Sequence, residues 1–155
     1  MASEGLTILV GTTKGAFLID GGPDRSGWAV RGPFCDGWPI NHAIADPETG
    51  TIWAGGGGDW SGAGVWRSDD GGESWQVTRL TRGTMDDWAE NDPEVAALIG
   101  WSPAALPFGT DFAQVWSLGQ AGGTLLAGTK PASLLSSRDG GATWSRVEGL
   151  TNHPS

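Results

Sequence analysis

The octet Ser68-Asp69-Asp70-Gly71-Gly72-Glu73-Ser74-Trp75 constrains this chain more than any other stretch, because it returns as Ser137-Arg138-Asp139-Gly140-Gly141-Ala142-Thr143-Trp144. Each copy sets a hydroxyl residue, an aspartate two positions on, a glycine two further, then Ser or Thr followed by Trp. Four positions at residue frequencies of ~5% would coincide by chance about once in 10⁵ starting points. The octet therefore marks a repeat. Its chemistry is that of a tight hairpin: Gly-Gly tolerates positive φ, and an aspartate accepts hydrogen bonds from the amides of its own turn. The hydroxyl adds a local bond, and the trailing indole buries a large ring where the next strand begins. Ser68, Asp70, Gly72 and Trp75, with Ser137, Asp139, Gly141 and Trp144, are read as structural for this reason.

A similar lead precedes each octet. Thr51-Ile52-Trp53-Ala54-Gly55 and Gly64-Val65-Trp66-Arg67-Ser68 precede the first; Thr124-Leu125-Leu126-Ala127-Gly128 and Ser133-Leu134-Leu135-Ser136-Ser137 precede the second. A worn third copy opens the chain as Thr7-Ile8-Leu9-Val10-Gly11, Gly15-Ala16-Phe17-Leu18-Ile19 and Trp28. Strands are expected over 6–11, 15–20 and 27–31; over 40–46, 51–55, 63–68 and 74–79; and over 113–118, 123–128, 132–137 and 143–148. Residues 80–112 do not repeat. Within them Asp92-Pro93-Glu94 opens a short helical pattern with Val95, Leu98 and Ile99 on one face, ended by Gly100. Loops of this length inside compact folds are more often functional or mobile than merely connecting.

The octets resemble Asp-boxes, also called BNR repeats, of the β-propeller proteins that include sialidases, xyloglucanases, sortilin-type receptors and photosystem assembly factors. The opening Gly11-Thr12-Thr13-Lys14-Gly15-Ala16-Phe17-Leu18, the segment from Gly37-Trp38 to His42-Ala43-Ile44, and the terminal Gly149-Leu150-Thr151-Asn152-His153-Pro154 resemble a narrower bacterial group labelled sialidase-like or glycosyl hydrolase-like. The resemblance implies an all-β fold of about two and two-thirds four-stranded blades: 6–31, 40–79 and 113–148, with the insertion at 80–112 and a linker at 149–155. A ring of this kind avoids exposed strand edges by closing with four to eight blades. Missing blades or self-association would therefore complete it, the N-terminal part of a longer protein being the favoured expectation.

Bulk properties narrow the partners. A formal charge of −9 disfavours nucleic acid and anionic membranes, and leaves a neutral sugar, a cation or a basic protein segment. The 27 glycines and ten tryptophans, with no tyrosine, suit many short strands packed on large rings. The lone Cys35 makes no internal disulfide, and Met1-Ala2-Ser3-Glu4 opens no signal peptide, so a cytoplasmic location is expected.

If the octet turns mark one face of such a disc, ligands are expected on the other, formed by 12–14, 33–42, 56–62, 129–131 and the insertion. Lys14, Trp38, Trp60, Asp86, Asp87, Trp88 and Lys130 are the candidate ligand-binding residues; Asp36, Asp59 and His42 are candidates for catalysis. Cys35, Asn41, Glu90, Asp92, Trp101 and Asp111 fall in the same segments. One reading is a sugar site, with tryptophans as stacking platforms and carboxylates around the ring. The other is that the acidic loops are solvated and the tryptophans fill space between blades. His42 is either a hydrogen-bonded structural residue or a general base, and Lys14 and Lys130 either hold an anionic group or lie along the surface. A glycosidase needs two carboxyl groups flanking one bond. Sialidases pair a tyrosine nucleophile with a glutamate and an arginine cluster near an Arg-Ile-Pro motif; this chain has neither tyrosine nor that motif, so sialidase activity is not expected of it. The spacing of Asp86, Asp87, Glu90 and Asp92 is not that of a calcium loop, and no metal or cofactor is expected. Two functions stay open: a non-catalytic propeller segment binding a carbohydrate or protein ligand, or part of a glycoside hydrolase.

Overall fold

The computed structural model describes residues 5–103 and 105–154; the Met1-Ala2-Ser3-Glu4 start and Ser155 lie outside them. The chain is mostly β, folded as three antiparallel sheets in sequence order. Sheet 1 is β1 (Leu6–Thr12), β2 (Gly15–Gly21) and β3 (Ala29–Phe34); sheet 2 is β4 (Ile40–Ala45), β5 (Ile52–Gly58), β6 (Gly62–Ser68) and β7 (Gln76–Arg79). Sheet 3 is β8 (Gln114–Ala121), β9 (Thr124–Lys130), β10 (Leu134–Ser137) and β11 (Ser145–Arg146). Each sheet is an up-and-down meander, because neighbouring strands are joined by short turns, most of them carrying Gly, Asp or Pro. Three helices complete the chain: α1 (Thr84–Asn91), α2 (Pro93–Leu98) and α3 (Glu148–Thr151).

The sheets stack face to face, β1 beside β4 and β8 against β4 and β5. Strand alternation drives this: in β9, Leu125, Ala127 and Thr129 are buried while Leu126 and Gly128 are less so. Between sheets 2 and 3 lies the larger core, built on Trp53, Val65, Leu80, Val115, Leu135 and Trp144 with Phe108 and Phe112 of the insertion. A smaller one between sheets 1 and 2 contains Ala16, Cys35, Ile40, Ala54 and Trp66.

Both octets form the same closed turn. Ser68 Oγ donates to Asp70 Oδ1 at 2.8 Å and accepts the Gly72 N–H at 2.9 Å, while Asp70 Oδ1 accepts the Ser74 N–H at 2.9 Å. Ser137, Asp139, Gly141 and Thr143 repeat these bonds. Trp75 and Trp144 return their indole N–H to the carbonyls of Gly72 and Gly141 at 3.0 and 2.9 Å. Hydrogen bonds from Ser74 and Thr143, side chain first and backbone second, hold the Asp70 and Asp139 carboxyls down at about 2.

Several expectations change. Glycines 56–58, expected in a loop, extend β5 instead, and Gly58 pairs with Gly62. Glycine is required there because a Cβ on Gly56 would collide with the Pro39 carbonyl, and Gly57 sits at φ 127°. The third strand of sheet 1 runs 29–34, later than 27–31, and the last strand of sheet 3 is only two residues long before the turn of α3 begins where a linker was expected. The insertion holds two helices where one was expected. Sequence periodicity missed α1 because its start is Gly83 rather than a hydroxyl or Asx cap, with Asp86 reaching back to accept the Gly83 N–H at 2.9 Å. The apolar stripe of α2 is not a core face: Leu98 is 86% exposed and the helix buries no residue. It is held instead by Asp92, whose carboxylate accepts the Glu94 and Val95 amides at 3.0 and 3.2 Å.

Candidate functional site

At the end of the sheets opposite the octet turns, the 35–39 connection, the β5–β6 hairpin loop and α1 enclose a cavity of about 520 Å³. Asp36, Trp38, Asp59, Trp60, Ser61 and Met85 line it. Four of these, Asp36, Trp38, Asp59 and Trp60, were marked from sequence and come from two separate segments.

Local chemistry places each one. Cys35, Asp36 and Gly37 take φ of 69°, 50° and 74°, three consecutive left-handed residues that reverse the chain after β3. The turn is closed by the Trp38 N–H donating to the Cys35 carbonyl at 2.9 Å. Non-glycine residues in this region carry strain of about 1–3 kcal/mol each, which persists where packing over-determines the backbone and is concentrated at ligand sites. Cys35 provides that packing: its thiol is buried, and burial pushes it up to about 12, so it is inert filler rather than a nucleophile. Trp38 stands edge-on to Trp66 at 5.6 Å, which fixes the ring while leaving it partly open to the cavity.

Trp60 projects from the tip of the β5–β6 hairpin and is half exposed. Trp88 of α1, also half exposed, lies 5.8 Å from it with the ring planes at 57°. The two rings form an aromatic corner beside the cavity. Among the described residues, neither the Asp36 nor the Asp59 carboxylate accepts a hydrogen bond or joins an ion pair, whereas the Asp59 carbonyl takes the Thr84 N–H at 2.8 Å and so docks α1 on the hairpin.

The insertion is locked by a buried node. Arg79 of β7 makes a two-pronged pair with Asp86, which also accepts the Gly83 amide and, at 3.0 Å, the Trp101 indole N–H. Burial works to raise the Asp86 carboxyl, but the Arg79 guanidinium, then the Gly83 amide and the Trp101 indole, outweigh it and hold it at about 2. Asp86, marked from sequence for ligands, thus has both oxygens turned into the fold. Asp87 and Glu90 pair with Arg82 at 3.1 and 2.6 Å on the outer side of α1.

The remaining marked residues are dispersed. His42 Nδ1 accepts the Leu118 N–H at 2.9 Å, tying β4 to β8, and Asn41 donates to the Val115 carbonyl at 3.0 Å across the same seam. Lys14 is exposed in the β1–β2 turn. Lys130 lies 4.7 Å over the ring of Trp116. Trp116 was not marked, because it reads as an ordinary strand residue; it sits at a bulge in β8, and the same bulge holds Asn41 in β4. The bulge is set by strand pairing, so the sequence held no signal for it. Asp111 pairs with Arg146 on sheet 3, away from the cavity.

Among the described residues no group of three or more His, Cys, Asp or Glu side chains is placed to hold a metal ion. The arrangement offers ring-stacking surface, two carboxylates and a preformed hollow. No protein-family model matches the chain, and no curated protein matches it.

Proposed function

We propose that this chain is a segment of an Asp-box β-propeller, its three sheets serving as blades, and that it binds a carbohydrate without cleaving it on the face opposite the Asp-boxes. The stacked meanders and the two identical octet turns support the propeller reading. The observation that carries the binding reading is the corner of Trp60 and Trp88 beside a cavity lined by Trp38, Asp36 and Asp59. Sugars present flat C–H faces that stack on indole rings, and hydroxyls that donate to carboxylates. Rings held half exposed, with carboxylates beside them, provide both. Among the described residues no positive side chain lines this cavity, which favours a neutral or basic sugar over an acidic one.

The test is a screen of neutral and amino-sugar oligosaccharides by calorimetry, followed by Trp60→Ala and Trp88→Ala. The expected result is binding that weakens about tenfold or more in each variant while the circular dichroism spectrum is unchanged; wild-type affinity in both variants rejects the site. Asp36 and Asp59 sharing one cavity favours a second reading, part of a glycoside hydrolase acting through that pair. Hydrolysis of a bound oligosaccharide, lost in Asp36→Asn or Asp59→Asn, would establish it in place of the first.

A further inference from the structure

The two junctions between sheets share one register but are filled differently. In sheet 2 the cross-strand pair Trp53–Arg67 occupies the place that Leu9–Leu18 holds in sheet 1, each two residues past the threonine of the matching leads Thr51-Ile52-Trp53 and Thr7-Ile8-Leu9. Trp53 and Arg67 fill the space beneath the second octet turn, where the Trp53 indole N–H donates to the Gly140 carbonyl at 2.9 Å and Arg67 Nη1 donates to the same oxygen at 3.1 Å.

The first octet turn meets sheet 1 in the same manner, and Gly71 is the counterpart of Gly140. Its carbonyl receives Arg31 Nη1 at 3.1 Å, but leucine stands where the indole would be. Leu18 packs beneath Gly72, and beside this smaller pair an open groove of about 790 Å³ is lined by Leu6, Leu9, Leu18, Ile52, Asp20 and Gly71. A carbonyl oxygen has two lone pairs, and only Arg31 occupies this one among the described residues. Asp20 is held in place by Arg31 Nε at 2.6 Å and Thr7 Oγ1 at 2.7 Å, so the polar wall is preformed.

We propose that this groove binds a small flat heteroaromatic molecule carrying a ring N–H, indole being the simplest member of the class. The ring lies along Leu6 and Leu9, over the buried Leu18 and Ile52, and its N–H donates to the Gly71 carbonyl as Trp53 does to Gly140. The chain supplies its own template for the ligand in the neighbouring junction. With Asp20 and Asp46 on the wall against the single Arg31, the site takes neutral or cationic rings in preference to anionic ones. It stands at the octet end of the sheets, apart from the tryptophan corner, and does not depend on that reading.

Titration of indole into the isotopically labelled 155-residue chain, followed by amide chemical shifts, tests it. The expected result is a saturable shift at Gly71 and Gly72 with Gly140 and Gly141 unmoved. Binding of 1-methylindole, which has no N–H to give, should be about two- to tenfold weaker, the worth of one neutral hydrogen bond. Leu9→Trp places an indole in the groove and should abolish the response, with Leu9→Phe as the second filling variant should the first not fold. Absence of saturation up to the solubility of indole, equal affinity for 1-methylindole, or unaltered binding in a folded filling variant would overturn the proposal.

Discussion

At the octet end of the sheets, Asp70 and Asp139 spend every oxygen on their own turns, and the trailing tryptophans return their N–H groups to glycine carbonyls. At the other end, Asp36 and Asp59 stand without partners among the described residues, and Trp60 and Trp88 present half their surface to solvent. The same residue types are used at both ends. The difference is that the octet carboxylates and trailing indoles are satisfied by bonds made within eight residues, while the groups at the other end are brought together from distant segments and keep these carboxylates unpaired among the described residues.

The largest expected effect comes from exchanging tryptophans between these categories. Trp144 is 7% exposed and Trp60 is 53% exposed. Trp144→Ala should lower stability to urea by about 3–5 kcal/mol, whereas Trp60→Ala should stay within about 0.5 kcal/mol. Comparable losses for both would break the distinction. Next is the node that carries the loop end on the sheet. Asp86→Ala removes the ion-pair partner of both terminal nitrogens of a largely buried arginine, whose Nε has no acceptor among the described residues and whose Nη2 is left with the Ser61 carbonyl. A loss of about 2–4 kcal/mol is expected, less than for a fully buried pair because water reaches part of Arg79. Hydrogen exchange should accelerate in 84–98 and stay slow in sheet 3; uniform acceleration would mean the insertion is integral to the core.

Acid sharpens the comparison further. The octet carboxyls at about 2 lie below the ordinary aspartate value of about 3.9, so their contribution is complete above about pH 4 and is lost as pH falls toward 2. The melting temperature should fall through that window more steeply in the wild type than in an Asp70→Asn, Asp139→Asn double variant, which starts lower at neutral pH. Parallel curves would show that the turns do not carry the acid sensitivity. The smallest effect is kinetic. With its thiol buried and pushed up to about 12, Cys35 should react with iodoacetamide at pH 8 only at the rate of opening, and rapid labelling of the folded chain would mean that the strained turn beside the cavity is not packed.

Strands and turns were legible because their causes are local. Period-two patterns and turn signals placed all eleven described strands to within about three residues at each end, and Asp-Gly-Gly dictates its turn whatever lies around it. Legibility failed where a neighbour in space sets the outcome. α1 begins at a glycine and is held by Arg79 from another element, so no stretch of its own sequence announces it. Leu98 and Ile99 have helical spacing with Val95, yet both stay exposed, Leu98 almost wholly.

The candidate site divides along the same line. Residue order already told which loops share an end of the sheets, since alternation in a meander follows from strand count, and it marked Asp36, Trp38, Asp59 and Trp60 as loop residues. Their meeting around one cavity, the inward turn of Asp86 and the use of His42 as a seam between β4 and β8 came only with packing. So did the unequal filling of the two junctions, where at one register position Trp53 joins the core between sheets 2 and 3 while Leu9 borders an open groove. Hydrogen bonds and steric limits within a turn act over a few residues and are written in sequence. Sheet-on-sheet contacts depend on which side chain the facing layer supplies, and that is settled in three dimensions.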